Sequence, residues 1–247
     1  MNYTENGMSD KEFECCENKS NIFLIGDSIR IGYCEYVRES MADLAEVYFP
    51  PVNCGCAESV LRDIHNWKED IGLDRADVVH FNAGLWDTIR IYGDDPITRP
   101  EAYRDYLDRI VKRIRFLFPE AKIIFATSTP VIESGFIQEF ETRFNSDIEA
   151  YNQIAREVML RHGVQINDLY ALLRDVPAHY HSDQTHFYTA DATELIGGQV
   201  NRVLCQALDL DEKKLILPDK QKYHISNGKN DRERYVKRGR FYAKVRT

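Results

Sequence analysis

The sequence contains no apolar run approaching the roughly 20 residues of a membrane-spanning helix, so no transmembrane segment is expected. Its first twenty residues, MNYTENGMSDKEFECCENKS, lack both a basic start and an apolar core. They do not read as a secretory signal, and a cytoplasmic location is the expectation. Neither a G-x-G-x-x-G turn nor a Walker sequence is present, which leaves nucleotide binding unsupported. The six cysteines (Cys15, Cys16, Cys34, Cys54, Cys56 and Cys205) match no zinc spacing, and Cys54-Gly55-Cys56 has no second ligand pair nearby. Reduced thiols, no metal and no cofactor are therefore expected. The net charge of −8 gives the chain no electrostatic pull towards nucleic acid or anionic lipid.

What the chain does have is enough apolar content, 43%, to build a buried core from its 247 residues. Residues 1–20 read as a flexible tail, 21–210 as one domain and 211–247 as a basic extension. From Pro218 onward there are ten Lys/Arg against three Asp/Glu, which leaves about −15 on the remainder. Tyr223, Tyr235, Phe241 and Tyr242 are interleaved with those cations. That pattern occurs in nucleic-acid-binding segments, but it equally describes a solvated arm or one packing on an acidic neighbouring subunit. We read it as a solvated extension or a packing arm, with no nucleic-acid partner and a homo-oligomer as one use of the arm.

Within the domain, short apolar runs alternate with helical periodicity. Strands are expected at 21–25, 47–49, 77–82, 121–127 and 164–169. Helices are expected from Ile29, through Val60–Trp67, through Tyr103–Leu117, over 144–161 and over 189–208. Pro119 stops the third helix and Gly163 caps the fourth. Strands that are apolar throughout suit a parallel sheet covered on both faces, hence a three-layer α/β/α sandwich. The ligand site of such a fold lies beyond the carboxyl ends of the strands.

Two motifs fall there. Gly26-Asp27-Ser28 ends the first strand and opens a helix, where a serine side chain projects from the sheet edge and backbone N–H groups favour an anion. Taken alone, the same residues describe a helix N-cap. Asp183-Gln184-Thr185-His186 precedes the last helix. In a loop, this spacing can set the carboxylate against one imidazole nitrogen and leave the other free to take a serine proton. The bland alternative is a surface Asp/His pair, because His179 and His181 lie in the same stretch.

Together the two motifs resemble those of the SGNH or GDSL hydrolase superfamily, over about residues 21–208. The resemblance implies a serine esterase or lipase with a flavodoxin-like, five-stranded parallel sheet and no metal. It carries the nucleophile onto Ser28 and the acid–base pair onto Asp183 and His186. It also implies an oxyanion-hole glycine after the second strand, best matched by Gly55, which is otherwise an ordinary turn residue. The family's G-x-N-D motif meets Gly84-Leu85-Trp86-Asp87 here, so Trp86 stands where the donating Asn belongs. Asn82, two residues before that glycine, is the candidate replacement; otherwise it is a satisfied strand-end amide. The N-x-G-L-x-D form resembles a branch that includes bacterial carbohydrate deacetylases.

Trp86, Tyr180, Phe187 and Tyr188 are candidates for a sugar-stacking platform or for plain packing. The loops carrying Arg90, Tyr92 and Arg99, and residues 136–140, are candidates for choosing the substrate. The expectation is an ester hydrolase that removes a small acyl group, acetyl by first choice, from a sugar or oligosaccharide. A lysophospholipase, thioesterase or acyltransferase of the same fold is one alternative, and a non-catalytic binding protein is another.

Overall fold

The computed structural model describes residues 19–136 and 140–223. The tail through residue 18, with Cys15 and Cys16, and the extension from residue 224, with Tyr235, Phe241 and Tyr242, lie outside the described residues.

The chain order is β1 (Ser20–Ile25), α1 (Ser28–Ser40), β2 (Ala45–Tyr48), α2 (Ala57–Asp70), β3 (Val78–Phe81), β4 (Arg90–Ile91) and α3 (Pro100–Leu117). It continues with β5 (Lys122–Ala126), β6 (Glu141–Thr142), α4 (Asn145–Arg161), β7 (Gln165–Asn167), α5 (Leu169–Leu173) and α6 (Ala190–Leu208). Five strands form one sheet in the order β2-β1-β3-β5-β7, and every neighbouring pair is parallel. The fold is the expected three-layer α/β/α sandwich.

Strand alternation divides the core in two. On β1, β3 and β5, Phe23, Ile25, Val79, Phe81 and Phe125 face one way and pack under α2, α3 and α4 through Val60, Ile64, Leu107, Ile110 and Val158. The alternate residues Ile22, Leu24, Val78, Ile124 and Ala126 face α1 and α6 through Tyr33, Val37, Ile196, Val200 and Leu204. Both faces being apolar is what made the strands read as unbroken hydrophobic runs. The helices carry their own stops: Gly163 adopts φ +62 just past α4, and Thr189 caps α6 by accepting from the Ala192 N–H.

The order reverses direction between β1 and β3. That switch point opens a crevice at the carboxyl ends of these two strands. Gly26-Asp27-Ser28 leaves β1 there and Asn82 leaves β3 there. A separate two-stranded antiparallel ribbon, β4 with β6, pairs Arg90 with Thr142 and Ile91 with Glu141. Two-residue strands carry no readable periodicity, so this ribbon has no signature in the sequence.

Residues 211–223, expected in the extension, lie on the domain itself. The Ile216 N–H donates to the Ser40 carbonyl, Lys220 pairs with Asp191 and Glu194, and the Tyr223 ring meets Tyr36 edge-on. Lys222 pairs with Glu39 as well, so the start of the basic segment is held by acidic residues of α6 and α1 in the same chain. Among the described residues no helix is long and apolar enough to cross a membrane.

Candidate active site

Ser28 is the first residue of α1, and Asp27 is its N-cap, whose carboxylate accepts the Ile29 N–H at 2.9 Å. The capping reading and the projecting-serine reading thus hold together, on adjacent residues. Gly26 is required by close approach. A Cβ there would meet Asn82 Oδ1 at 2.0 Å and Arg30 Cβ at 2.8 Å.

The structure brings together the three residues that the two motifs single out. His186 Nε2 lies 2.9 Å from Ser28 Oγ, and His186 Nδ1 lies 2.8 Å from Asp183 Oδ2. Asp183 Oδ1 also accepts the N–H groups of Thr185 and His186, each at 2.8 Å. Partial burial pushes the Asp183 carboxyl up, but the hydrogen bond and charge of His186 and those two N–H groups outweigh it and hold the group at about 2. It is therefore ionised at neutral pH. The other face of the imidazole is covered by Tyr188, whose ring stacks at 4.7 Å and 20°. The Tyr188 hydroxyl donates to the Ser28 carbonyl at 2.9 Å.

The oxyanion candidates divide. The Gly55 N–H donates to Asn53 Oδ1 at 2.9 Å, so the group expected to face an oxyanion is already engaged. Its neighbours are tied as well: the Cys54 N–H donates to the Gly26 carbonyl at 3.1 Å, and the Ala57 N–H to the Asp87 carboxylate at 3.0 Å. Of these four consecutive N–H groups, that of Cys56 has no acceptor among the described residues, and Cys56 is the N-cap of α2. The Ser28 N–H likewise has none among them. Helix position, which the sequence did not resolve within Cys54-Gly55-Cys56, is what distinguishes Cys56 from Gly55.

Asn82 is buried, with its side chain against Gly26 and Asp27. It supports the Gly26–Ser28 turn, closer to the satisfied strand-end amide than to a free donor. Burial pushes the Asp27 carboxyl up, against the opposing pull of the Ile29 N–H, Asn82, His186 and Arg143. Trp86 is 40% exposed on the loop after β3. Gly84, with φ +147, could carry no side chain, because a Cβ would sit 2.4 Å from Ser128 Oγ. Asp87 is buried, and burial lifts its carboxyl to about 6 despite hydrogen bonds from Thr98 and Ala57.

Of the proposed platform, Phe187 and Tyr188 are buried and serve packing, while Trp86 remains exposed. Tyr92 and Phe140 are exposed where β4 meets β6, with their rings 6.4 Å apart. Arg90 is bound to Asp147 at 2.7 Å, and Arg99 caps α3.

Two buried arginines were not legible. Arg30 donates to the carbonyls of Gly26 and Val52, tying the Gly26–Ser28 turn to the loop before α2. Arg143 follows β6; its Nε donates to the Leu85 carbonyl at 2.9 Å and its Nη1 pairs with Glu141. A single arginine in a polar stretch reads as solvated. Among the described residues no three His, Cys, Asp or Glu side chains gather as a metal cluster would.

Fold and geometry define a class: a three-layer α/β/α protein carrying a serine–imidazole–carboxylate hydrogen-bonded chain at the carboxyl edge of its sheet. The chain belongs to the GDSL-like lipase/acylhydrolase family, whose sequence profile matches residues 24–190. It is similar in structure to a lipase/acylhydrolase from Enterococcus faecalis, with a TM-score of 0.60 and 19% identity over 81% of this chain and 99% of the other. It is also similar to the acetyl xylan esterase AlAXEase, with a TM-score of 0.56 and 15% identity over 74% and 99% of the two chains. A GDSL-like lipase from Bacteroides thetaiotaomicron aligns with a TM-score of 0.57 and 12% identity over 77% and 90%. Identities this low speak to the fold alone. No curated protein matches the chain.

Proposed function

We propose that this protein is a serine ester hydrolase in which Ser28 attacks an acyl carbonyl. The observation that carries the reading is the unbroken contact from Asp183 through His186 to Ser28 Oγ, at 2.8 and 2.9 Å. His186 Nε2 takes the hydroxyl proton as the serine–carbonyl bond forms, and Asp183 holds the tautomer and stabilises the imidazolium. The Ser28 and Cys56 N–H groups receive the oxyanion. As the intermediate collapses, the proton passes from His186 to the departing alcohol and leaves an acyl-enzyme. Water, deprotonated by His186, attacks the acyl-enzyme; the acid departs and Ser28 recovers its proton.

The substrate we assign is a small acyl ester, with acetyl on a carbohydrate as the leading class. Exposed Trp86, Tyr92 and Phe140 support it, because exposed aromatic faces suit stacking on a sugar ring. The fold shared with an acetyl xylan esterase is consistent with it. A long-chain lysophospholipase or thioesterase remains the alternative within the same chemistry.

Trapping tests the reading. A fluorophosphonate should attach to Ser28, located by peptide mass spectrometry, and a panel of p-nitrophenyl esters should favour two- to four-carbon acyl groups. Attachment elsewhere would remove Ser28 as nucleophile. A preference for eight carbons or more would leave the mechanism and discard the acetyl assignment.

A further inference from the structure

The family's third oxyanion donor is an Asn side chain; here that position is Trp86, and Asn82, the other amide nearby, is set against Gly26 and Asp27. Arg143 is the cation built into this place. It is 5% exposed, and its Nε holds the carbonyl of Leu85, the residue between Gly84 and Trp86. Its ion pair with Glu141 anchors it from the solvent side, Glu141 being 51% exposed in its side chain. Among the described residues its Nη2 has no acceptor. Its charge is felt both by Asp27, next to the nucleophile, and by Asp183 of the hydrogen-bonded chain. Burial works against the charged form of the guanidinium, and the opposing pull comes from Glu141, Asp27 and Asp183.

We propose that Arg143 is a positioning residue that substitutes for the missing amide: it fixes the Gly84–Asp87 turn through the Leu85 carbonyl and supplies a fixed positive charge beside the Ser28 site that favours the anionic intermediate. The proposal rests on the serine-hydrolase reading. The physical reason is that a charge held in place away from water acts at full strength as the oxyanion forms and needs no reorganisation. Arginine suits this better than lysine, because its planar fork can bind a carbonyl and a carboxylate at once while keeping its charge.

The test compares wild type, Arg143→Gln, Arg143→Lys and Glu141→Gln, each checked by circular dichroism and melting temperature. Two readouts are taken: kcat and KM on p-nitrophenyl acetate, and inhibition by a boronic acid, which adds to a serine oxygen to give a tetrahedral anion. Arg143→Gln should lower kcat by about 10- to 100-fold with KM within about twofold, and weaken boronate inhibition in proportion to kcat/KM. Arg143→Lys should fall between. Glu141→Gln keeps a side-chain oxygen that can accept from Nη1, and with it the anchor, but removes the counter-charge, so it should keep or raise kcat and tighten boronate binding. That variant alters only a half-exposed side chain, so it reads the electrostatics even where Arg143→Gln fails to fold. The proposal is overturned by a folded Arg143→Gln with kcat/KM within twofold of wild type, or by boronate inhibition unchanged while kcat falls. It is overturned as well if Glu141→Gln loses activity, since the pair would then be structural. A wild type whose Ser28 neither turns over ester nor takes up boronate brings down the underlying reading instead, and this proposal with it.

Discussion

Tyr188 touches two members of the Ser28–His186–Asp183 hydrogen-bonded chain at once: its hydroxyl donates to the Ser28 carbonyl at 2.9 Å, and its ring lies flat on His186 at 4.7 Å. The contact joins the start of α1 to the loop before α6, elements 160 residues apart in sequence. It ties the backbone of Ser28 to the ring of His186, and so helps to set their separation. Tyr188→Phe keeps the stacking and deletes the hydrogen bond. A net bond of this kind contributes about 1 kcal/mol. We expect kcat to fall roughly threefold to tenfold with KM little changed and stability reduced by about 1 kcal/mol. Steady-state kinetics and urea unfolding check it, and a kcat equal to wild type would remove the positioning role.

Gly26 and Gly198 make a matched pair of glycine substitutions with opposite expected signs. At Gly26 a methyl group would run into Asn82 Oδ1 at 2.0 Å and Arg30 Cβ at 2.8 Å, in the turn that carries Ser28. Gly26→Ala should cost about 1–3 kcal/mol and at least tenfold in kcat as the turn shifts. At Gly198, inside α6, nothing lies within 4 Å of the added atom. Gly198→Ala should stabilise by about 0.5–1 kcal/mol and leave kcat alone. Melting temperatures and kcat for both variants give the answer; equal behaviour of the two would contradict the packing described for Gly26.

Two buried groups impose opposite pH dependences on stability. His80, fully buried on β3, has its pKa lowered by desolvation from 6.5 to about 4. Between those values the unfolded chain takes the proton and the native one does not, so stability falls as the pH drops from 6.5 towards 4. Asp87 has its pKa raised by burial from 3.8 to about 6. Across that interval the native state holds the proton more tightly, so stability is present below pH 4 and lost as the pH rises through 6. Each effect is bounded at about 3 kcal/mol and they oppose each other. Relative to wild type, Asp87→Asn should therefore gain stability steadily from pH 4 to 6, and His80→Gln should lose the acid weakening between 6.5 and 4. Urea midpoints taken across this range decide it. A variant-minus-wild-type difference that is flat in pH would show that the group does not titrate as described.

The sheet was legible because its strands are buried on both faces and its helices carry clear apolar stripes, and the motif at Ser28 was legible because it lies where one such strand ends. Asp183 and His186 could be picked out because three residues of spacing suffice to close their contact within one loop. The rest failed for identifiable reasons. Which of Gly55 and Cys56 offers a free N–H depends on where α2 begins and on the side chain of Asn53, and both are matters of tertiary placement. Asn82 carried the right chemistry, but its direction is fixed by the absence of a Cβ at Gly26. Arg30 and Arg143 are charges, and a sequence gives a charge no reason to be inside until the carbonyls and carboxylates that receive it are assembled. Phe187 and Tyr188 looked available for stacking on a sugar until the fold buried them.

The most direct test of the account is the hydrolysis of p-nitrophenyl acetate by wild type and by Ser28→Ala, both confirmed folded. The account predicts measurable turnover by the wild type and none above background in the variant, a change of one oxygen atom at 2.9 Å from His186 Nε2. Turnover that survives undiminished in Ser28→Ala would contradict it, and would mean that the contact between Ser28 and His186 is not where the chemistry occurs.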